Sequence, residues 1–121
     1  MAITREFAAS FAAEWIAAWN AHDLPRVLSH YTDDFEMSSP FIIEIAGEPS
    51  GGLRGKENVR VYWQAALKGN SGLYFELLSV FMGAGSVVLH YRRNSGQPAA
   101  EVFFFNEHGL VYRAAAHYLE K

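Results

Sequence analysis

Phe7, Phe11, Trp15 and Trp19 recur at every fourth position, with Ala8, Ala12 and Ile16 beside them. That spacing predicts an amphipathic α-helix whose apolar stripe is built mainly from aromatic rings. Thr4 precedes it as a candidate N-cap, and Glu6 sits in the first turn, where the helix dipole favours a carboxylate. Trp19-Asn20-Ala21-His22-Asp23 ends the stripe. Asp23 then caps a second helix, with Pro25 in its first turn, where a missing N–H costs nothing. Val27, Leu28 and Tyr31 give that short helix a buried side, and a strand is expected over Asp34 to Ser38, closed by Pro40.

From Phe41 to Leu53 the pattern dissolves into Gly47, Pro49, Gly51 and Gly52, which reads as a loop long enough to act as a lid. Phe41-Ile42-Ile43 is too apolar for an exposed loop and is expected to fold over something. A third helix is expected over Gly55 to Leu67, with Val59, Tyr62, Trp63 and Ala66 at helical spacing. Strands follow over Leu73–Met82, Ser86–Arg93, Ala99–Asn106 and Leu110–Leu119. Glycine-bearing hairpin connections separate them at Gly83-Ala84-Gly85, Asn94-Ser95-Gly96 and Glu107-His108-Gly109. Helices first and a meander afterwards is the order of an α+β domain. The expected shape is a cone, a curved antiparallel sheet wrapped on three N-terminal helices around an internal apolar pocket.

The stretch Glu101-Val102-Phe103-Phe104-Phe105 is apolar at both alternations, so both sheet faces should be covered. The helices can cover only one. A second copy of the chain is the simplest cover for the other, which predicts a homodimer through the outer sheet face.

Composition narrows the function. The 121 residues suffice for a single domain over 1–121, and half of them are apolar. A formal charge of -3, with no long run of Lys or Arg, leaves no electrostatic footprint for nucleic acid. The absence of cysteine removes disulfides and thiolate chemistry and fits a reducing compartment. The alanine- and aromatic-rich stretch from Phe7 to Ala21 contains Glu14 and is too short to span a bilayer. No membrane partner is expected, and a cytoplasmic location is the better reading.

Glu101 is the most suggestive single residue. Alternation places it on the face of Phe103 and Phe105, where an ionised carboxylate is disfavoured and its pKa should rise. It is either a general acid or base, or a strand-end residue reaching solvent. A hairpin turning at Ser95-Gly96 would set His90 opposite Glu101 as an acid–base partner, although a one-residue slip would turn His90 to the other face. The five histidines lack metal-ligand spacing, and neither a phosphate loop nor a nucleophile elbow is present, so no metal or other cofactor is expected. Ala114 and Ala116, between Tyr112 and Tyr118, leave room on one strand face. With Trp15, Trp19, Phe41, Trp63 and Phe103 they form either the wall of an apolar small-molecule pocket or an ordinary core. Trp15 and Tyr118 are the candidate hydrogen-bond donors in such a pocket.

The element order, together with Trp19-Asn20-Ala21-His22-Asp23-Leu24, Tyr31-Thr32-Asp33-Asp34, Gly55-Lys56-Glu57-Asn58-Val59 and Gly109-Leu110-Val111, resembles the SnoaL-like and ketosteroid isomerase-like families. These share the cystatin-like, nuclear transport factor 2-like fold. The resemblance covers nearly the whole chain. It implies a cofactor-free isomerase, cyclase or dehydratase acting on an apolar cyclic or carbonyl-bearing molecule, or a non-catalytic ligand-binding or dimerisation module. The ketosteroid isomerases carry a tyrosine where this chain has Trp15, and an aspartate base before a proline where it has Ser39 before Pro40. They keep a buried, protonated aspartic acid where it has Glu101. Two departures in three argue against steroid isomerisation itself, while Ser39 and Glu101 remain candidate pocket residues.

Overall fold

The computed structural model describes residues 2–119. Helix α1 (Arg5–Asn20) starts where Thr4 Oγ accepts the Phe7 N–H at 3.0 Å, and it buries Phe11, Trp15 and Trp19 along its apolar stripe. His22 takes a positive φ of 56°, which turns the chain into α2 (Leu24–Leu28), capped by Asp23. Strand β1 (Tyr31–Ser38) begins earlier than the sequence pattern implied, because Tyr31 and Phe35 already bury on one face.

The stretch expected to be a lid loop is partly ordered as secondary structure. Ser39 caps a short helix, α3 (Pro40–Ile45), and β2 (Gly52–Arg54) then pairs with β1. The described residues therefore carry four helices rather than three, the last being α4 (Lys56–Gly69). The meander follows as β3 (Phe75–Met82), β4 (Ser86–Arg93), β5 (Pro98–Phe105) and β6 (Val111–Tyr118). Together the strands form one six-stranded sheet in the order β2-β1-β6-β5-β4-β3. All pairs are antiparallel except β1–β6, where the first strand joins the last in parallel. Register shifts in the β1–β6, β3–β4 and β5–β6 pairs are the irregularities that bend such a sheet.

The helices fill one side of the sheet. Trp15 stacks on Phe75 at 5.7 Å and meets Phe103 edge-on at 5.2 Å, so α1 lies against β3 and β5 through aromatic rings. Asn20 fixes the end of α1, donating to Phe75 O at 2.9 Å and accepting from Phe75 N–H at 2.7 Å.

Two registers differ from the sequence expectation. In the β4–β5 hairpin, Arg93 N–H donates to Gln97 O at 2.9 Å and Gly96 N–H to Arg93 O at 2.8 Å. The loop is therefore the three residues Asn94-Ser95-Gly96, with Gly96 at φ 89°, a conformation glycine adopts without strain. A two-residue turn at Ser95-Gly96 would have paired position 90 with 101. The extra residue moves the register by one, so Leu89 faces Glu101 and His90 faces Ala100 on the opposite side of the sheet. The expected His90–Glu101 pair does not form.

The second difference is at Tyr112. Phe105 pairs with Val111 but Phe104 with Arg113, which leaves Tyr112 as the extra residue of a bulge. Val111 turns inward and is fully buried, whereas Tyr112 is 47% exposed beside the outer-face Phe104 ring. Tyr112 does not share the face of Ala114 and Ala116.

Candidate functional site

A cavity of about 310 Å³ opens between the helices and the inner sheet face. Trp15 and Trp19 come from α1, Phe41 from α3 and Trp63 from α4, and together they make its wall mainly aromatic. The rings reach one space because the four-residue repeat of α1 stacks Trp15 and Trp19 on one stripe, and α4 presents Trp63 toward Trp19 at 5.0 Å.

Glu101 lines the cavity from β5 and is 3% exposed. Tyr91, on the adjacent strand, donates its O–H to Glu101 Oε1 at 3.0 Å. Burial pushes the carboxyl up to about 7, against the opposing pull of the Tyr91 hydrogen bond. The group therefore exchanges a proton near neutrality, with Tyr91 holding one oxygen in place. The phenol of Tyr91 is itself held far above its usual range, first by burial and then by the Glu101 charge, so it acts as a donor and not as an acid.

Two further phenols reach the same cavity, Tyr62 from α4 and Tyr118 from β6. Burial raises Tyr62 to about 12, Ser39 pulls it back by hydrogen bonding, and the Glu101 charge adds to the rise. Tyr118 is raised by the same causes, led by burial, with Arg93 acting in the other direction. The Arg93 guanidinium lies 4.6 Å over the Tyr118 ring. Ser39 is 3% exposed, and its Oγ accepts the Phe41 N–H at 3.2 Å.

The sequence-derived candidates thus separate. Glu101, Trp15, Trp19, Phe41, Trp63 and Tyr118 line the cavity. Trp15 is not a free donor, since its Nε1–H is spent on Tyr31 Oη at 3.0 Å. Phe103, Ala114 and Ala116 lie buried behind the wall as core, Phe103 packing edge-on against Phe11 at 4.9 Å. His90 and Tyr112 lie on the outer side of the sheet, and Ser39 is buried as the N-cap of α3 rather than in the cavity wall.

The sequence reading missed Tyr91 and Tyr62. Tyr62 stood in plain view at helical spacing beside Trp63, but a phenol there reads as ordinary core. Tyr91 would have followed from recognising the three-residue hairpin loop, because that register places it diagonally across from Glu101. Among the described residues no group of three or more His, Cys, Asp or Glu could hold a metal ion. No helix among them is long and apolar enough to cross a membrane.

A family model described as a SnoaL-like domain matches residues 12–118. Among solved structures, a SnoaL-like protein of unknown function from Burkholderia thailandensis is 53% identical, with a TM-score of 0.94 over 99% of this chain and 100% of that one. A protein of unknown function with a cystatin-like fold from Methylobium petroleophilum is 17% identical, with a TM-score of 0.76 over 100% and 81%. A protein provisionally described as an isomerase of the SnoaL-like family, from Agrobacterium tumefaciens, is 15% identical, with a TM-score of 0.75 over 95% and 99%. These last two share the fold. No curated protein matches the sequence.

Proposed function

The chain belongs to the SnoaL-like domain family, and from that premise we propose that its cavity holds an apolar, carbonyl-bearing small molecule on which Glu101 moves a proton. The observation that carries this reading is a single carboxyl group, buried in an aromatic cavity and pushed up to about 7. A carboxylate in water is too weak a base to abstract a carbon-bound proton efficiently. Desolvation strengthens it as a base while leaving much of it ionised at neutral pH. Tyr91 keeps the carboxyl oriented, and the aromatic wall excludes water that would compete for the proton. Isomerisation, cyclisation and dehydration of a carbonyl compound all include such a transfer, and none needs a group beyond those lining this cavity.

The test is deuterium exchange at the α-carbon of cyclic ketones in heavy water, followed by NMR, for the wild type and Glu101→Gln. Exchange should rise with pH through an inflection near 7, where Glu101 ionises, and disappear in the variant. Ketones that bind without exchanging would assign the chain instead to ligand binding. Exchange that survives Glu101→Gln would remove Glu101 as the base.

We also propose that a second copy of the chain covers the outer sheet face. Phe81 and Tyr112 remain about half exposed there, beside Val102 and Phe104. That apolar surface supports self-association better than exposure to water.

A further inference from the structure

We propose that the cavity is also a seat for an organic cation, a tertiary or quaternary ammonium on an apolar body, held by the Glu101 carboxylate and the surrounding aromatic rings. This goes beyond the proton-transfer reading and does not depend on it. It rests on the charge the cavity holds and the one it lacks.

Among the described residues, Glu101 is the only buried side chain of the Asp, Glu, Lys, Arg and His types. A buried carboxylate is ordinarily matched by a cation, because its desolvation is otherwise uncompensated. None of the ion pairs among the described residues includes Glu101. Its hydrogen-bond partner is the neutral Tyr91 hydroxyl, which occupies Oε1. Arg93 also lines the cavity, but its guanidinium is seated over Tyr118 at 4.6 Å and Phe41 at 5.7 Å. Desolvation and Tyr91, not Arg93, set the ionisation of Glu101.

The wall supplies the second half of a cation site. Trp15, Trp19, Trp63, Phe75 and Tyr91 line the same space as the carboxyl. Aromatic faces carry negative potential and attract an ammonium within about 6 Å of the ring centre. The chain already uses that attraction at one end of the cavity, where Arg93 lies over two rings.

Charge then sorts the occupants. A hydrocarbon gains only from burial, and an anion is repelled by ionised Glu101. An ammonium ion gains from the rings and completes the ion pair that Glu101 lacks, both stronger where water is excluded. Its arrival favours the ionised carboxyl, so the Glu101 proton leaves to solvent. Methyl groups on the nitrogen suit this wall better than the three donors of a primary ammonium, which would find few acceptors here.

The experiment compares phenyltrimethylammonium with tert-butylbenzene, which share a shape and differ by one charge. Trp15, Trp19 and Trp63 are the three tryptophans of the chain and all line the cavity, so a fluorescence titration reads its occupancy. The measured quantity is the ratio of the two dissociation constants. Phenyltrimethylammonium has no titratable proton, so any pH dependence of the ratio belongs to the protein. Preference for the cation should grow about tenfold or more as Glu101 ionises, with its midpoint near or below the free value of about 7. Tyr31, Tyr62, Tyr91 and Tyr118, whose phenols feel the Glu101 charge, stay neutral in that range because burial raises each of them. Arg93 stays charged throughout.

Glu101→Gln should remove the pH dependence and hold the ratio at its acidic value. Trp63→Leu should weaken the cation about threefold against the hydrocarbon, whose own binding controls for lost packing. A ratio unchanged by Glu101→Gln and by pH would overturn the cation seat and leave the proton transfer standing. So would exclusion of phenyltrimethylammonium from a cavity that takes tert-butylbenzene. Failure of both ligands to bind would overturn the cavity reading itself. Cation binding that depends on Glu101, without α-exchange in ketones, would uphold this inference and remove the proton transfer.

Discussion

Replacing Glu101 by glutamine isolates the free energy of one buried ionisation. The folded chain holds this carboxyl at about 7, against an ordinary 4.5 when exposed. Because the folded value is the higher one, the native state binds the proton more tightly than the unfolded state. Stability is then full below about 4.5 and falls as the pH rises toward 7, where both states become ionised and the loss levels off. At about 1.4 kcal/mol per tenfold step, the loss amounts to roughly 3 kcal/mol. That is a large fraction of the stability of a small domain. Glutamine keeps a carbonyl oxygen to accept the Tyr91 O–H but does not ionise, so it imitates the protonated acid at every pH. Urea unfolding of both proteins from acidic to slightly alkaline pH measures the effect, using the difference between them. Carboxylates such as Glu14, held low mainly by the Arg26 hydrogen bond, contribute equally to both and cancel. The variant should gain about 3 kcal/mol on the wild type between pH 4.5 and 7.5. Stability curves that run parallel across that window, or diverge in the opposite sense, would refute the burial of an ionisable Glu101.

His90→Gln should leave α-exchange and its pH inflection unchanged, because the ring lies across the sheet from the cavity; a moved inflection would reinstate the histidine. Asn20→Ala should cost about 2 kcal/mol in urea unfolding, since it strands both the N–H and the C=O of Phe75 at the start of β3. A loss below a few tenths would mean that water replaces the side chain. In sedimentation, the wild type should run at twice the chain mass and Phe104→Glu at the chain mass; a monomeric wild type would remove the dimer.

The elements were legible because their signals are local. The aromatic stripe of α1, the caps at Thr4 and Asp23, and the glycine punctuation of the meander each depend on residues within a few positions of one another. Glu101 was legible as a candidate for the same reason, since alternation puts it on the face of Phe103 and Phe105, and the structure decided between pocket and solvent by burying it. The region from Phe41 to Leu53 was read as loop because its glycines outweighed a helix of only six residues, α3, whose stability comes from packing and not from propensity.

What surrounds Glu101 was not legible, and the reason is geometric. Strand period is two, so one residue of loop length or one bulge exchanges the faces of everything beyond it. Gly96 in a three-residue turn replaced His90 by Tyr91 as the partner of Glu101, and the bulge at Tyr112 sent that phenol outward. The convergence of Tyr62, Tyr91 and Tyr118 on the cavity joins three elements remote from one another in sequence, and no local pattern encodes it. The sequence by itself determined the main helices, the strands of the meander and the family, and put Glu101 forward as a candidate buried acid, because hydrophobic periodicity acts over short distances along the chain. Only the tertiary structure decided which hydroxyls face that acid, because that depends on register and on the packing of distant segments.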